Sequence, residues 1–152
     1  MTTTVQKPED LLEYVGRELG TSDWLAVPQH DIDLFADATH DHQWIHVDVS
    51  RAEAGPFGGP IAHGYLTLAL LIPLWSQILV IEHIGMAVNY GLNKVRFPGP
   101  VPAGGRVRLT ASLAAAELVK GDGVQVTVDA VMRLDGADKP VCVAQMVHRY
   151  YS

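Results

Sequence analysis

The chain has 152 residues, 48% of them hydrophobic and 18% charged, with a formal net charge of −6. That length supports one domain around one sizeable core, and the composition excludes a disordered chain. Eleven scattered Lys and Arg residues in an acidic chain also exclude a nucleic-acid surface, which needs clustered cations.

Met1 to Asp10 is polar and lacks the apolar run of a secretory signal, so a cytoplasmic protein is expected. Pro8-Glu9-Asp10 opens a helix predicted over Pro8–Leu19 and stopped by Gly20. Trp24–Val27 reads as a short strand, and a second helix is predicted over Pro28–Ala38, with Ile32, Leu34 and Phe35 toward a core. An irregular segment rich in His and Asp follows over Thr39–Val47, then a helical turn over Ser50–Ala54 and a glycine-rich loop, Gly55–Pro60.

An apolar helix then begins near Ala62. No Asp, Glu, Lys or Arg occurs between Glu53 and Glu82. The apolar part, Tyr65–Ile81, is 17 residues long, at the short limit for a bilayer span. It carries Thr67, Pro73, Ser76 and Gln77 and has no basic flanks, so a helix buried in a soluble fold, without a membrane partner, is the better reading.

From Met86 the period becomes two. Met86, Val88, Tyr90 and Leu92 share a face, then Val95 and Phe97 take the opposite phase, and the slip near Gly91 predicts a bulge. Pro98–Gly105 is a turn, Val107–Leu113 alternates as a strand, and Lys120–Gly123 is a hairpin turn. Val124–Leu134 alternates again, Asp135-Gly136 turns, and Val141–Tyr151 is the last strand. The lone Cys142 has no disulfide partner and sits in an apolar run, as a small buried hydrophobe rather than a nucleophile. These elements predict a single α+β domain over residues 1–152, a curled antiparallel sheet wrapped around a long buried central helix. Its long edge strand would be protected by pairing in a dimer.

Two segments concentrate chemistry. In Asp41-His42-Gln43-Trp44-Ile45-His46-Val47-Asp48, a carboxylate and an imidazole five residues apart can hold one water and move its protons. A solvated loop with an Asp capping the Ser50 turn accounts for the same residues. His40, His42, His46 and His63 with Asp41 and Asp48 offer enough ligands for zinc, but in no recognised ligand spacing and with no Cys pair, so no metal is expected. In Gly59-Pro60-Ile61-Ala62-His63-Gly64-Tyr65, the glycine loop enters the apolar helix. A backbone N–H at Gly64 is placed to meet an oxygen that gains negative charge, and glycine there permits close approach. A plain helix start, with His63 as a packing residue, accounts for it equally.

Phe35-Ala36-Asp37-Ala38-Thr39-His40-Asp41-His42-Gln43-Trp44-Ile45-His46-Val47-Asp48, followed by Phe57-Gly58-Gly59-Pro60-Ile61-Ala62-His63-Gly64, resembles the hydratase motif of the MaoC-like family of (R)-specific enoyl-CoA hydratases. Tyr90–Val101 is similar to the strand that follows that family's central helix, and the resemblance runs from about Trp24 to the C-terminus. The chain length is that of the small, single-domain, mycobacterial-type members. The resemblance implies the hot-dog fold, a catalytic pair at Asp41 and His46, a Gly64 N–H on the thioester carbonyl, and supporting roles for Gln43 and His63. It implies reversible hydration of a trans-2-enoyl-CoA to a (3R)-3-hydroxyacyl-CoA in fatty-acid metabolism by a homodimer. Coenzyme A is then the substrate's handle, with no separate cofactor and no metal. The chain departs from the pattern at Gln43, where many members have Asn, at Trp44, where Pro is common, and at Ile72, where some have Ser. A hot-dog thioesterase and a non-catalytic acyl-thioester-binding or dimerisation module are the rival readings. Lys94 and Arg96 suit either CoA phosphates or solvent and are left outside the site.

Overall fold

A computed structural model describes residues 1–152. β1 (Thr3–Val5) leads through a 3-10 helix (Pro8–Tyr14) to β2 (Glu18–Thr21), β3 (Leu25–Ala26) and α1 (Gln29–Thr39). Two short helices, α2 (Trp44–Val47) and α3 (Val49–Glu53), precede the central helix, which is formed by α4 (Gly64–Ala69) and α5 (Leu71–Ile78). Five strands follow: β4 (Leu79–Ile81), β5 (Met86–Arg96), β6 (Arg106–Val119), β7 (Gly123–Leu134) and β8 (Pro140–Tyr151).

The main sheet is antiparallel in the order β2-β6-β7-β8-β5, with β3 also paired to β6. Alternation decides which face is inside. Val107, Leu109, Ala111 and Leu113 of β6, and Val124, Val126, Val128, Ala130 and Met132 of β7, are buried in the same cluster as Leu71, Leu74 and Ile78 of α5. β6 continues past Leu113 to Val119, through a register shift between Leu113 and Ala115 where three alanines break the alternation. β5 carries the slip expected near Gly91, between Asn89 and Gly91, and a second between Leu92 and Lys94. The α+β hot-dog arrangement expected from the sequence is the one observed.

The N-terminal half departs in detail. The helix expected over Pro8–Leu19 ends at Tyr14, because Val15 is extended and Gly16 adopts φ +87°, and Leu19 is delivered to β2 instead. Its start is secured by Asp10, whose carboxylate accepts from the Gln6 and Lys7 N–H groups at 3.1 Å each. On α1 it is Ile32 and Ala36 that are buried, while Leu34 is 53% exposed. The central helix is broken at Leu70, since Pro73 has no N–H to give the Ala69 carbonyl, and it ends at Ile78 rather than Ile81. Its own sheet covers one side only: Tyr65 is 75% exposed, and Ala69, Pro73, Ser76 and Gln77 share the uncovered side. Pro73, Ser76 and Gln77 of the apolar run thus fall where water reaches them, whereas Thr67 is buried and donates its hydroxyl to the His63 carbonyl at 3.3 Å. Residues Leu79–Ile81 form β4, a parallel partner for β1 that no local pattern announces. No helix is long and apolar enough to cross a membrane.

Candidate active site

The site begins where α1 stops. His40 takes φ 65°, a left-handed conformation that His tolerates better than most residues, and reverses the chain so that Asp41 leaves the helix axis. One turn later α2 lifts His46 inward until only 6% of it is exposed. Gln29 fixes this turn by donating its amide to the His46 carbonyl at 2.8 Å and to the Asp33 carboxylate at 2.9 Å. Asp48 caps α3, accepting from the Arg51 N–H at 3.2 Å.

His46 Nδ1 lies 2.7 Å from the Ile61 carbonyl oxygen. A carbonyl only accepts, so Nδ1 carries the proton and Nε2 presents a lone pair. Burial pushes the His46 pKa below its ordinary value of 6.5; the Ile61 hydrogen bond opposes that shift, the neighbouring His63 adds to it, and Asp41 opposes it. The ring is therefore neutral at physiological pH.

His63, 2% exposed, ties the two segments together. Its Nε2 donates to the Asp41 backbone carbonyl at 3.0 Å, and its ring stacks on His46 at a centroid distance of 3.9 Å and 24°. The Phe35 ring lies 4.8 Å from the His63 ring, and the buried His63 Nδ1 has no partner. Gly64, the first residue of α4, has an N–H without an intrahelical acceptor. A Cβ built there would stand 3.2 Å from two carbons of the Phe97 ring.

These residues converge on one cavity of about 260 Å³, lined by Asp41, His46, His63, Gly64, Tyr65 and Phe97. Of the residues expected at the site, Asp41, His46, Gly64 and His63 thus meet. Gln43 stays exposed outside the cavity, and what it offers is a backbone N–H 3.4 Å from Asp41 Oδ1. Gln29, Tyr65, Phe97 and the Ile61 carbonyl were not anticipated. Phe97 alone carried a signal, the change of phase that turns it away from the Met86–Leu92 face.

The ligand set weighed for zinc divides. His42 pairs with Asp37 at 2.9 Å and Asp48 caps α3, whereas Asp41, His46 and His63 each bring one ligand atom to within 4.8 Å of the others. With one nitrogen of each ring already hydrogen-bonded, each imidazole has a single nitrogen left for an ion. The same arrangement suits a water held between the Asp41 carboxylate and His46 Nε2, facing an acyl carbonyl at the Gly64 N–H.

Comparison with known proteins identifies the family and the fold. The chain is 51% identical over 147 residues to 3-hydroxyacyl-thioester dehydratase Z of Mycobacterium tuberculosis, covering 97% of each chain. Among solved structures it superposes on the MaoC-like dehydratase from Rhodospirillum rubrum with a TM-score of 0.75, 22% identity and 97% of each chain covered. It superposes on the (R)-hydratase from A. caviae involved in PHA biosynthesis with a TM-score of 0.65 and 21% identity, covering 88% of this chain and 96% of that one. Residues 10–133 match the family model described as the MaoC like domain. The chain belongs to the MaoC-like dehydratase family.

Proposed function

We propose that the protein is a hydro-lyase that interconverts a trans-2-enoyl thioester and a (3R)-3-hydroxyacyl thioester, with coenzyme A as the substrate's handle. The observation that carries this reading is the convergence of the Asp41 carboxylate, the free His46 Nε2 and the Gly64 N–H on one cavity. A bound water donates one hydrogen to His46 Nε2 and the other to Asp41. Its oxygen attacks C3 of the enoyl group while Asp41 accepts the proton. Charge moves to the thioester oxygen and is met by the Gly64 N–H. Asp41 then returns the proton to C2 on the same face, which closes the balance: one water added, one double bond lost. Dehydration runs the same steps backwards. His63 acts through the others, holding the Asp41 segment and the His46 ring in place.

A homodimer goes with this reading. β5 pairs with β8 on one edge only, which leaves its other edge open, and Met86 (54%), Tyr90 (56%) and Leu92 (47%) along it are exposed. A second copy pairing there would cover an edge that is otherwise a template for aggregation. The lone, buried Cys142 and the thioester substrate suit the cytoplasm. The test is to incubate purified protein with trans-2-enoyl-CoA, follow loss of the conjugated absorbance, and couple the product to dehydrogenases specific for each enantiomer. Hydration with oxidation by the (3R)-specific enzyme is expected. Release of free thiol without hydration, or oxidation only by the (3S)-specific enzyme, would overturn the assignment.

A further inference from the structure

Resting on the dehydratase reading, the central helix adds a feature that the reaction does not use. Gly64, Leu68, Ile72 and Trp75 recur at three- and four-residue spacing, so they form one stripe along α4 and α5. Two crevices border the later part of that stripe, from Leu68 to Trp75, beyond the cavity at Gly64. The first, about 230 Å³, lies between Leu68 and Ile72 on the helix and Leu92 and Met146 on the sheet. The second, about 200 Å³, continues past Ile72 to Trp75, Ile84 and Tyr150. Three residues border both: Ile72, Asn89 and His148. The walls are apolar apart from Asn89, His148, Ser76 and the Tyr150 hydroxyl.

His148 is the anomaly. It is 5% exposed, yet its Nε2 has no hydrogen-bond partner. Nε2 is thus a buried nitrogen that a ligand could pair, and a hydroxyl suits either tautomer of the ring because it can both donate and accept. The ring is held parallel to Trp75, at 10° and a centroid distance of 6.3 Å, and the Trp75 indole is itself fixed by donating to the Tyr150 hydroxyl at 2.7 Å. A buried polar nitrogen without a partner is costly to keep, and beside a binding crevice it favours a ligand that supplies one. A hydroxyl fits that requirement, and Asn89 lines both crevices beside His148.

We infer that His148 is a specificity residue, and that the enzyme prefers acyl groups bearing a hydroxyl partway along or at the end of the chain. From Gly64 to Ile72 the helix advances roughly 12 Å, the reach of an extended acyl chain of about eight to ten carbons. An acyl group pinned by its carbonyl at Gly64 and laid along the stripe brings its hydroxyl to His148, once the Ile72 side chain turns out of the wall between the crevices.

The test compares kcat/KM for trans-2-enoyl-CoAs of eight and ten carbons with and without a terminal hydroxyl. The wild-type protein is expected to favour the hydroxylated chain at one of these lengths by about tenfold, the value of one well-made hydrogen bond. His148→Leu should reverse that ratio toward the plain chain, and His148→Gln, which restores a polar group, should recover part of it. Because the ratio in the wild-type protein is decisive, misfolding of a variant leaves the inference testable. Hydration with equal kcat/KM for the paired chains overturns this inference alone. Absence of hydration with every thioester, including the four-carbon one, overturns the dehydratase reading and this inference with it.

Discussion

Gly64→Ala separates the role of a backbone N–H from that of the fold around it. The residue is helical and has no left-handed φ, so alanine fits the backbone and gains at most the helix-interior propensity difference of about 0.5–1 kcal/mol over glycine, less at this first helical position. Against that stands the Phe97 ring. The new methyl would sit 3.2 Å from two ring carbons, tighter than ordinary contact, and the ring must give by a few tenths of an ångström. Phe97 is 42% exposed and has room to move, so the strain stays near the lower bound of overpacking, about 1 kcal/mol. The two effects nearly cancel, and Tm is expected to move by only a few degrees. Catalysis behaves differently. The methyl fills the gap through which a planar thioester reaches the N–H, and losing one such donor costs roughly a hundredfold to a thousandfold in turnover. Initial rates with enoyl-CoA beside thermal melts read both quantities. Activity within about threefold of wild type would refute close approach at Gly64. So would recovery of activity in Gly64→Ala/Phe97→Leu, because the loss would then come from the displaced ring.

Asp41→Asn and His46→Gln are each expected to lower turnover about a hundredfold or more with circular dichroism unchanged, and near-normal rates in either variant would remove that residue from the acid–base pair. Prolonged chelation is expected to leave activity unchanged; a loss restored by added zinc would make Asp41, His46 and His63 a metal site. His46 and His148 both titrate below their ordinary 6.5, in each case chiefly because burial disfavours the charged ring. As pH falls through 6.5 the unfolded chain therefore binds protons that the folded protein refuses, so stability is full above that value and declines below it. Melts in steps below pH 6.5 should show that decline, and His148→Leu should flatten it; an identical slope in the variant would deny the burial of His148.

Legibility followed the range of the interaction. β7 and the first half of β6 could be read residue by residue, because Val107, Leu109, Val124, Val126, Val128 and Met132 carry their own alternation, whereas Ala114, Ala115 and Ala116 hide the rest of β6. The slip in β5 was readable for the same reason. The 3-10 helix was not: Pro8-Glu9-Asp10 announces a helix start but not its length, which is set by Gly16 turning the chain so that Leu19 reaches the core. The β1–β4 pair is invisible locally, since Thr3 and Leu79 meet only through the completed fold. At the site, the spacing of Asp41 and His46 suggested a shared water. What makes His46 a lone-pair donor is the Ile61 carbonyl, and what holds Asp41 near it is His63, contacts across fifteen and twenty-two positions that no motif spells out.

The β1–β4 pairing also bears on the order in which the molecule assembles. β6, β7 and β8 are joined by short turns, so their hairpins close at little entropic cost and form early. β1 and β4 bracket α1, α2, α3 and the central helix, and their parallel register forms only after that entire loop has closed. Asp41, His46 and Gly64 all lie within the bracketed stretch. Refolding from denaturant should therefore recover sheet structure ahead of catalytic activity.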